Sequence, residues 1–149
     1  MMRAFFDTNV LVYCIDPVHP GKQGRSFEVQ NVMAASRQGV ISGQVLSEFA
    51  NVAVGKLRAH ISRERARTEV RRLAEMFPVV YVTPRVVDLA IEGVERFGFS
   101  YYDAQIWAAA KTAGCSFVLS EDFSDGFEAD GVHFRDPFAE GFDPATSLA

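Results

Sequence analysis

At 149 residues, 48% hydrophobic and 23% charged, the chain suits a single globular domain and contains no apolar stretch near the ~18 residues of a membrane span. Two cysteines far apart in sequence, Cys14 and Cys115, argue against a disulfide scaffold, and His19, His60 and His133 lack zinc-ligand spacing, so any metal would have oxygen ligands. A net charge of −4 argues weakly against nucleic-acid binding, although the charge is unevenly spread.

The N-terminus has no signal-peptide core and enters a structured element at once, which leads us to expect a cytoplasmic protein. Arg3–Phe6 reads as a short buried strand because no polar residue interrupts Ala-Phe-Phe. His19-Pro-Gly-Lys breaks the chain before a helix over about 23–38, closed by Gly39, and Val40-Ile41 forms a second strand. A helix over about 44–54 carries Val45, Phe49, Val52 and Ala53 at helical spacing. Ser62 caps a helix running to about Met76, with Ala66, Val70, Leu73, Ala74 and Phe77 on its apolar stripe.

Pro78–Val82 is β-branched and strand-like. Thr83-Pro84 starts a helix bearing Val87, Ala90, Ile91 and Val94 and stopping at Gly98. Ser100 opens the next helix, with Asp103 three residues on as in a capping box, and Gly114 ends it. Cys115–Leu119 is a further buried strand and Val132–Phe134 a last one. Strands alternating with helices give an α/β domain over residues 1–137, with a central mostly parallel sheet flanked by helices. Residues 138–149 read as a loosely held C-terminal tail.

Four acids fall where an acid needs explaining. Asp7 and Asp122 follow predicted strands, at the edge where open parallel sheets bind ligands. Glu48 and Asp103 lie on or beside the core-facing stripes of their helices. Singly, each has an ordinary explanation: a strand end, a helix cap, a stripe edge, a turn residue. Converging within ~6 Å, each pair would repel by ~3 kcal/mol at an effective dielectric of 20, so the cluster calls for a shared cation. Hard carboxylate oxygens select Mg²⁺ or Mn²⁺. Elsewhere, Lys56, Arg58, Arg63, Arg65, Arg67, Arg71 and Arg72 form a basic stripe, readable as a phosphate track or as a solvated helix face.

Phe6-Asp7-Thr8-Asn9-Val10-Leu11, Leu46-Ser47-Glu48-Phe49, Tyr102-Asp103-Ala104-Gln105-Ile106-Trp107 and Leu119-Ser120-Glu121-Asp122 together resemble, in order and spacing, the four signatures of the PIN domain. Within that superfamily the chain most resembles VapC-type toxins of bacterial toxin–antitoxin pairs. The resemblance implies an endoribonuclease that cleaves RNA with a metal-activated water. Asp7 and Asp103 would be the main ligands of one or two Mg²⁺ or Mn²⁺ ions, with Glu48 and Asp122 in support. Thr8 or Ser120 would orient a carboxylate or the attacking water, and Asn9 would donate to Asp7 or to a phosphate. It further implies a cognate antitoxin partner and a homodimer.

Near the fourth position Glu121 and Asp125 compete with Asp122, which is favoured because it matches the family's Thr/Ser-x-Asp/Asn pattern. The acidic run from Glu121 to Asp143 is unusual for an RNA binder, and it should point away from the substrate or contact a basic partner. Two other readings compete. A Mg²⁺-dependent phosphotransfer domain, phosphatase-like or receiver-like, also uses an Asp after the first strand. However, the phosphatase needs an acid where Asn9 stands, and both need a late Lys, whereas none follows Lys111. A catalytically inactive PIN-like binding module would not be expected to keep all four acids.

Overall fold

A computed structural model describes residues 1–149. The strands are β1 (Ala4–Phe6), β2 (Gly39–Ser42), β3 (Val79–Val80), β4 (Phe117–Leu119), β5 (Glu128–Ala129) and β6 (Val132–Arg135). They form one sheet in the order β3-β2-β1-β4-β6-β5, parallel except for the antiparallel β5–β6 pair. The helices are α1 (Thr8–Val12), α2 (Pro20–Ser36), α3 (Gly43–Val54), α4 (Arg63–Met76), α5 (Pro84–Phe97), α6 (Tyr101–Thr112) and α7 (Pro144–Ser147). A 3-10 turn at Tyr13–Ile15 extends α1. No helix is long and apolar enough to cross a membrane. The α/β class and the mostly parallel sheet are as the sequence predicts.

From β1 the chain builds outward to β2 and β3, then returns to place β4 and β6 on β1's other side. The switch point therefore lies between β1 and β4, and a crevice forms beyond their carboxyl ends. β1 is wholly buried because it is central: Ala4, Phe5 and Phe6 pair with β2 on one side and β4 on the other.

Helix starts follow local chemistry. The side chains of Ser42, Ser62, Thr83 and Ser100 accept from the backbone N–H of Val45, Arg65, Val86 and Asp103, satisfying donors that the first helical turn leaves free. At Ser100 only this half of the expected capping box forms, since the Asp103 carboxylate accepts no hydrogen bond from the protein.

Several expectations are corrected. The first long helix begins at Pro20 and ends at Ser36, with Arg37 in the left-handed region (φ 58°). Gly39 does not close that helix. It opens β2, where a Cβ would stand 2.5 Å from the Phe77 ring. The strand expected over 78–82 shrinks to Val79–Val80, an edge pair on β2, and Tyr81 and Val82 are exposed.

On α5 the core face is Val86, Ala90 and Gly93, whereas Val87, Ile91 and Val94 face solvent. The helix is rotated because Gly93 seats the Trp107 ring, which would lie 2.8 Å from an added Cβ. On α4, Ala66, Leu73 and Phe77 are buried as expected, but Ala74 is exposed. The 138–149 segment is docked, not loose. Phe142 and Leu148 are core residues, Met2 N–H donates to the Leu148 carbonyl (2.8 Å), and Arg135 Nη1 donates to the Ser147 carbonyl (3.1 Å). Both cysteines are free.

Candidate active site

The crevice at the switch point is a cavity of about 350 Å³, lined by Asp7, Glu48, Asp103 and Asp122 along with Thr8, Asn9, Gln44, Tyr102 and Lys56. The structure thus brings all four predicted acids into one pocket from four separate segments: the ends of β1 and β4, the middle of α3 and the first turn of α6. None of the four forms an ion pair with Lys, Arg or His.

Asp7 is the most enclosed, at 7% exposure. It caps α1, its Oδ1 accepting from Thr8 N–H (2.8 Å), while Oδ2 accepts from Ser120 Oγ (2.7 Å) and from Asn9 Nδ2 (3.4 Å). Burial raises its pKa from an ordinary 3.8 to about 6. The Ser120 and Thr8 hydrogen bonds pull the other way, and the Asp122 and Glu48 charges push it further up.

The predicted supporting residues act as orienters. Thr8 Oγ1 donates to Glu48 Oε2 (2.7 Å), and Ser120, fully buried, fixes Asp7. Asn9 Nδ2 also donates to Ser120 Oγ (3.2 Å) and to Asp122 Oδ2 (3.0 Å), linking the ends of β1 and β4. Asp122 itself is exposed, and its N–H donates to Ser120 Oγ (3.1 Å).

The two competing acids are engaged elsewhere. Glu121 borders the pocket but accepts from Tyr13 OH (2.6 Å) and from Lys22 Nζ (2.7 Å), and the bond to Glu121 holds the Lys22 pKa above its ordinary value. Asp125 accepts from Arg135 Nε and from Asp136 N–H, both at 3.0 Å.

Sequence reasoning missed three contributors. Gln44 Nε2 donates to Glu48 Oε1 (2.9 Å), and the buried Gln105 donates to Gln44 Oε1 (2.8 Å), forming a relay between α3 and α6. The position of Gln44 four residues before Glu48 was the available signal. Asp16, buried and bonded to Val18 N–H (3.0 Å), is a further acid lining the pocket.

Of the basic stripe, only Lys56 reaches this pocket. Arg65 and Arg72 pair with Glu69, and Arg63, Arg67 and Arg71 border a separate groove floored by Ala50, Val54, Ala66 and Val70.

The donor chemistry fits a hard divalent cation, since the carboxylates of Asp7, Glu48, Asp103 and Asp122 share the pocket with the hydroxyl of Thr8. The side chains are not drawn into a finished chelate: no three His, Cys, Asp or Glu residues form a group arranged to hold a metal. Both Glu48 oxygens and one Asp122 oxygen are taken by Thr8, Gln44 and Asn9, so ligation would exchange those donors for the ion.

No curated protein matches the sequence closely enough to count as a relative. Solved structures share the fold. VapBC2 from Rickettsia felis bound to a promoter DNA fragment superposes with a TM-score of 0.66 at 15% identity, over 91% of this chain and 98% of that one. DNA-bound VapBC from Salmonella typhimurium gives 0.65 at 18%, over 92% and 99%. VapC20 from Mycobacterium tuberculosis, described as a sarcin-ricin loop cleaving toxin, gives 0.54 at 21%, over 95% and 97%. The PIN domain sequence profile matches residues 4–127, a span that runs from β1 past Asp122 and includes all four acids of the pocket. With its acids gathered at the switch point of the matching fold, the chain belongs to the PIN-domain family.

Proposed function

We propose that this chain is a Mg²⁺- or Mn²⁺-dependent endoribonuclease and the toxin of a VapBC-type toxin–antitoxin pair. One observation carries the nuclease reading: four carboxylates share a pocket, none of them in an ion pair, and the most buried is penalised for its charge. Asp7, Glu48, Asp103 and Asp122 would hold the ion. When bound, the ion would lower the pKa of water and neutralise charge building on the attacked phosphate.

The protein's own part is to aim oxygens. Ser120 and Thr8 N–H fix both oxygens of Asp7, Thr8 and Gln44 fix Glu48, and Asn9 fixes Asp122. Asp103, whose carboxylate accepts no hydrogen bond from the protein, is the acid most available to a ligand. The phosphotransfer reading loses ground, because the Asn9 amide is committed to the acids and Lys111 is tied to Asp130 (3.0 Å).

Support for the toxin role comes from the neighbouring folds, VapBC assemblies among them. An antitoxin side chain such as Arg would offset the carboxylate repulsion much as a metal does. A second copy is expected on the exposed Val87, Ile91 and Val94 face of α5. The expected compartment is the cytoplasm.

The decisive assay is RNA cleavage by purified protein with Mn²⁺, with chelator, and by Asp103→Asn. Cleavage should vanish in the last two, and activity persisting in both after contaminating RNase is excluded would reject the assignment. Growth arrest on expression, relieved by co-expressing a neighbouring small DNA-binding protein, tests the toxin role separately.

A further inference from the structure

We infer that Tyr102 is the base-binding platform of this site: its ring receives an unstacked base beside the scissile phosphate. This rests on the ribonuclease reading above. Tyr102 is 66% exposed, although the residues from Ala104 to Ala110 on the same helix are all buried. Of the large apolar side chains left exposed on the molecule, it alone borders the acid pocket, one residue before Asp103.

Its backbone is anchored. The Tyr102 carbonyl accepts from Gln44 Nε2 (3.2 Å), the same amide that holds Glu48. Its one aromatic neighbour, the half-buried Tyr101, meets it nearly edge-on (5.3 Å, 75°) and so does not stack across its face. An exposed ring with no stacked neighbour offers a flat surface to a partner with a π-face.

The rest of the pocket extends the argument. Gln44 sits in the first turn of α3, Glu48 follows one turn on, and Lys56 lies just past the helix end. At 1.5 Å per residue, α3 carries the chain about 15 Å from Gln44 to its end at Val54, and Lys56 follows two residues later. The pocket thus offers a ring at one end, carboxylates in the middle and, at the other end, an ammonium with no protein ion pair. A nucleic acid strand presents the complementary series: a base, the phosphate to be cleaved, and a flanking phosphate. In a duplex both faces of every internal base are covered, so such a ring has nothing to receive until the base is splayed out.

The test measures kcat and KM for cleavage of a single-stranded oligoribonucleotide of mapped cleavage site in Mn²⁺, with the wild type, Tyr102→Phe and Tyr102→Ala. The substrate is used intact, with an abasic ribose at each nucleotide flanking the cut, and annealed to its complement. Phe should stay within about twofold of wild type, and Ala should raise KM about tenfold, as for loss of one base–aromatic stack, with kcat changed little. One abasic position should bring the wild type to the Ala level while leaving Tyr102→Ala unaffected, and annealing should protect the site. Wild-type KM in Tyr102→Ala, or equal abasic penalties in both proteins, overturns the platform while the nuclease reading stands. A wild type that cleaves no RNA overturns both. The abasic arm uses unmutated protein, so a folding defect in Tyr102→Ala cannot imitate the expected result.

Discussion

Replacing Asp7 by Asn keeps the shape of the most buried acid and removes its charge, so stability should respond in a pH- and metal-dependent way. The rise from 3.8 to about 6 is roughly two pKa units, or ~3 kcal/mol of penalty on the ionised form in the folded protein. Between about pH 4 and pH 6 the folded state binds the proton more tightly than the unfolded chain does. Unfolding free energy therefore falls as pH rises through that window and stays low above it. Asn escapes this penalty. Against the gain, an amide nitrogen placed where Oδ2 now accepts from Ser120 and Asn9 disrupts about one hydrogen bond, ~1 kcal/mol.

Asp7→Asn should thus be more stable than wild type by about 1–2 kcal/mol at pH 8 in chelator, and slightly less stable at pH 4. Manganese at a hundred times its Kd should then raise the wild type by ~2.7 kcal/mol and the variant far less. Trp107 is the sole tryptophan and fully buried, so its fluorescence reports urea unfolding without a label. The reasoning fails if the variant gains nothing at pH 8 in chelator, or if both proteins respond equally to Mn²⁺.

Glu121→Gln should leave RNA cleavage within a few-fold of wild type, because Tyr13 and Lys22 occupy that carboxylate, whereas Asp122→Asn should lower kcat by at least tenfold. Initial rates on one RNA substrate compare them, and the reverse ranking would make Glu121 the fourth acid. Leu148→Ala should destabilise the fold by about 2–5 kcal/mol in urea melts, the usual cost of a cavity at a fully buried leucine, and a change under 1 kcal/mol would return the last residues to the status of a loose tail.

Much of the site was readable in the chain because its signals are local. A strand followed at once by Asp7, a capping Ser100 three residues before Asp103, and a Leu119-Ser120-Glu121-Asp122 strand end each state where an acid will sit relative to its own element. Parallel topology then collects those ends on one edge. What failed were questions of which side faces what. On α5 hydrophobicity alone places Ala90 in the core correctly but also Val87, Ile91 and Val94, whereas Val86 and Gly93 take those places, since a missing side chain at Gly93 admits Trp107. The short α1, β5 and α7 carry no clear local signal, and the tail reads as loose because its anchoring contacts lie at distant Met2, just before β1, and in β6.

The sequence by itself determined the order of the longer elements, the caps that start most of their helices and the family motifs, because periodicity and capping act over three or four residues. Tertiary structure alone decided how the acids are used. Ser120 reaches Asp7 across 113 residues of chain, Gln105 steadies Gln44 across 61, and Lys22 draws off Glu121 across 99. The Asp7 pKa is likewise a property of its surroundings: burial costs a carboxylate its hydration only once strands and helices from the whole chain have closed around it.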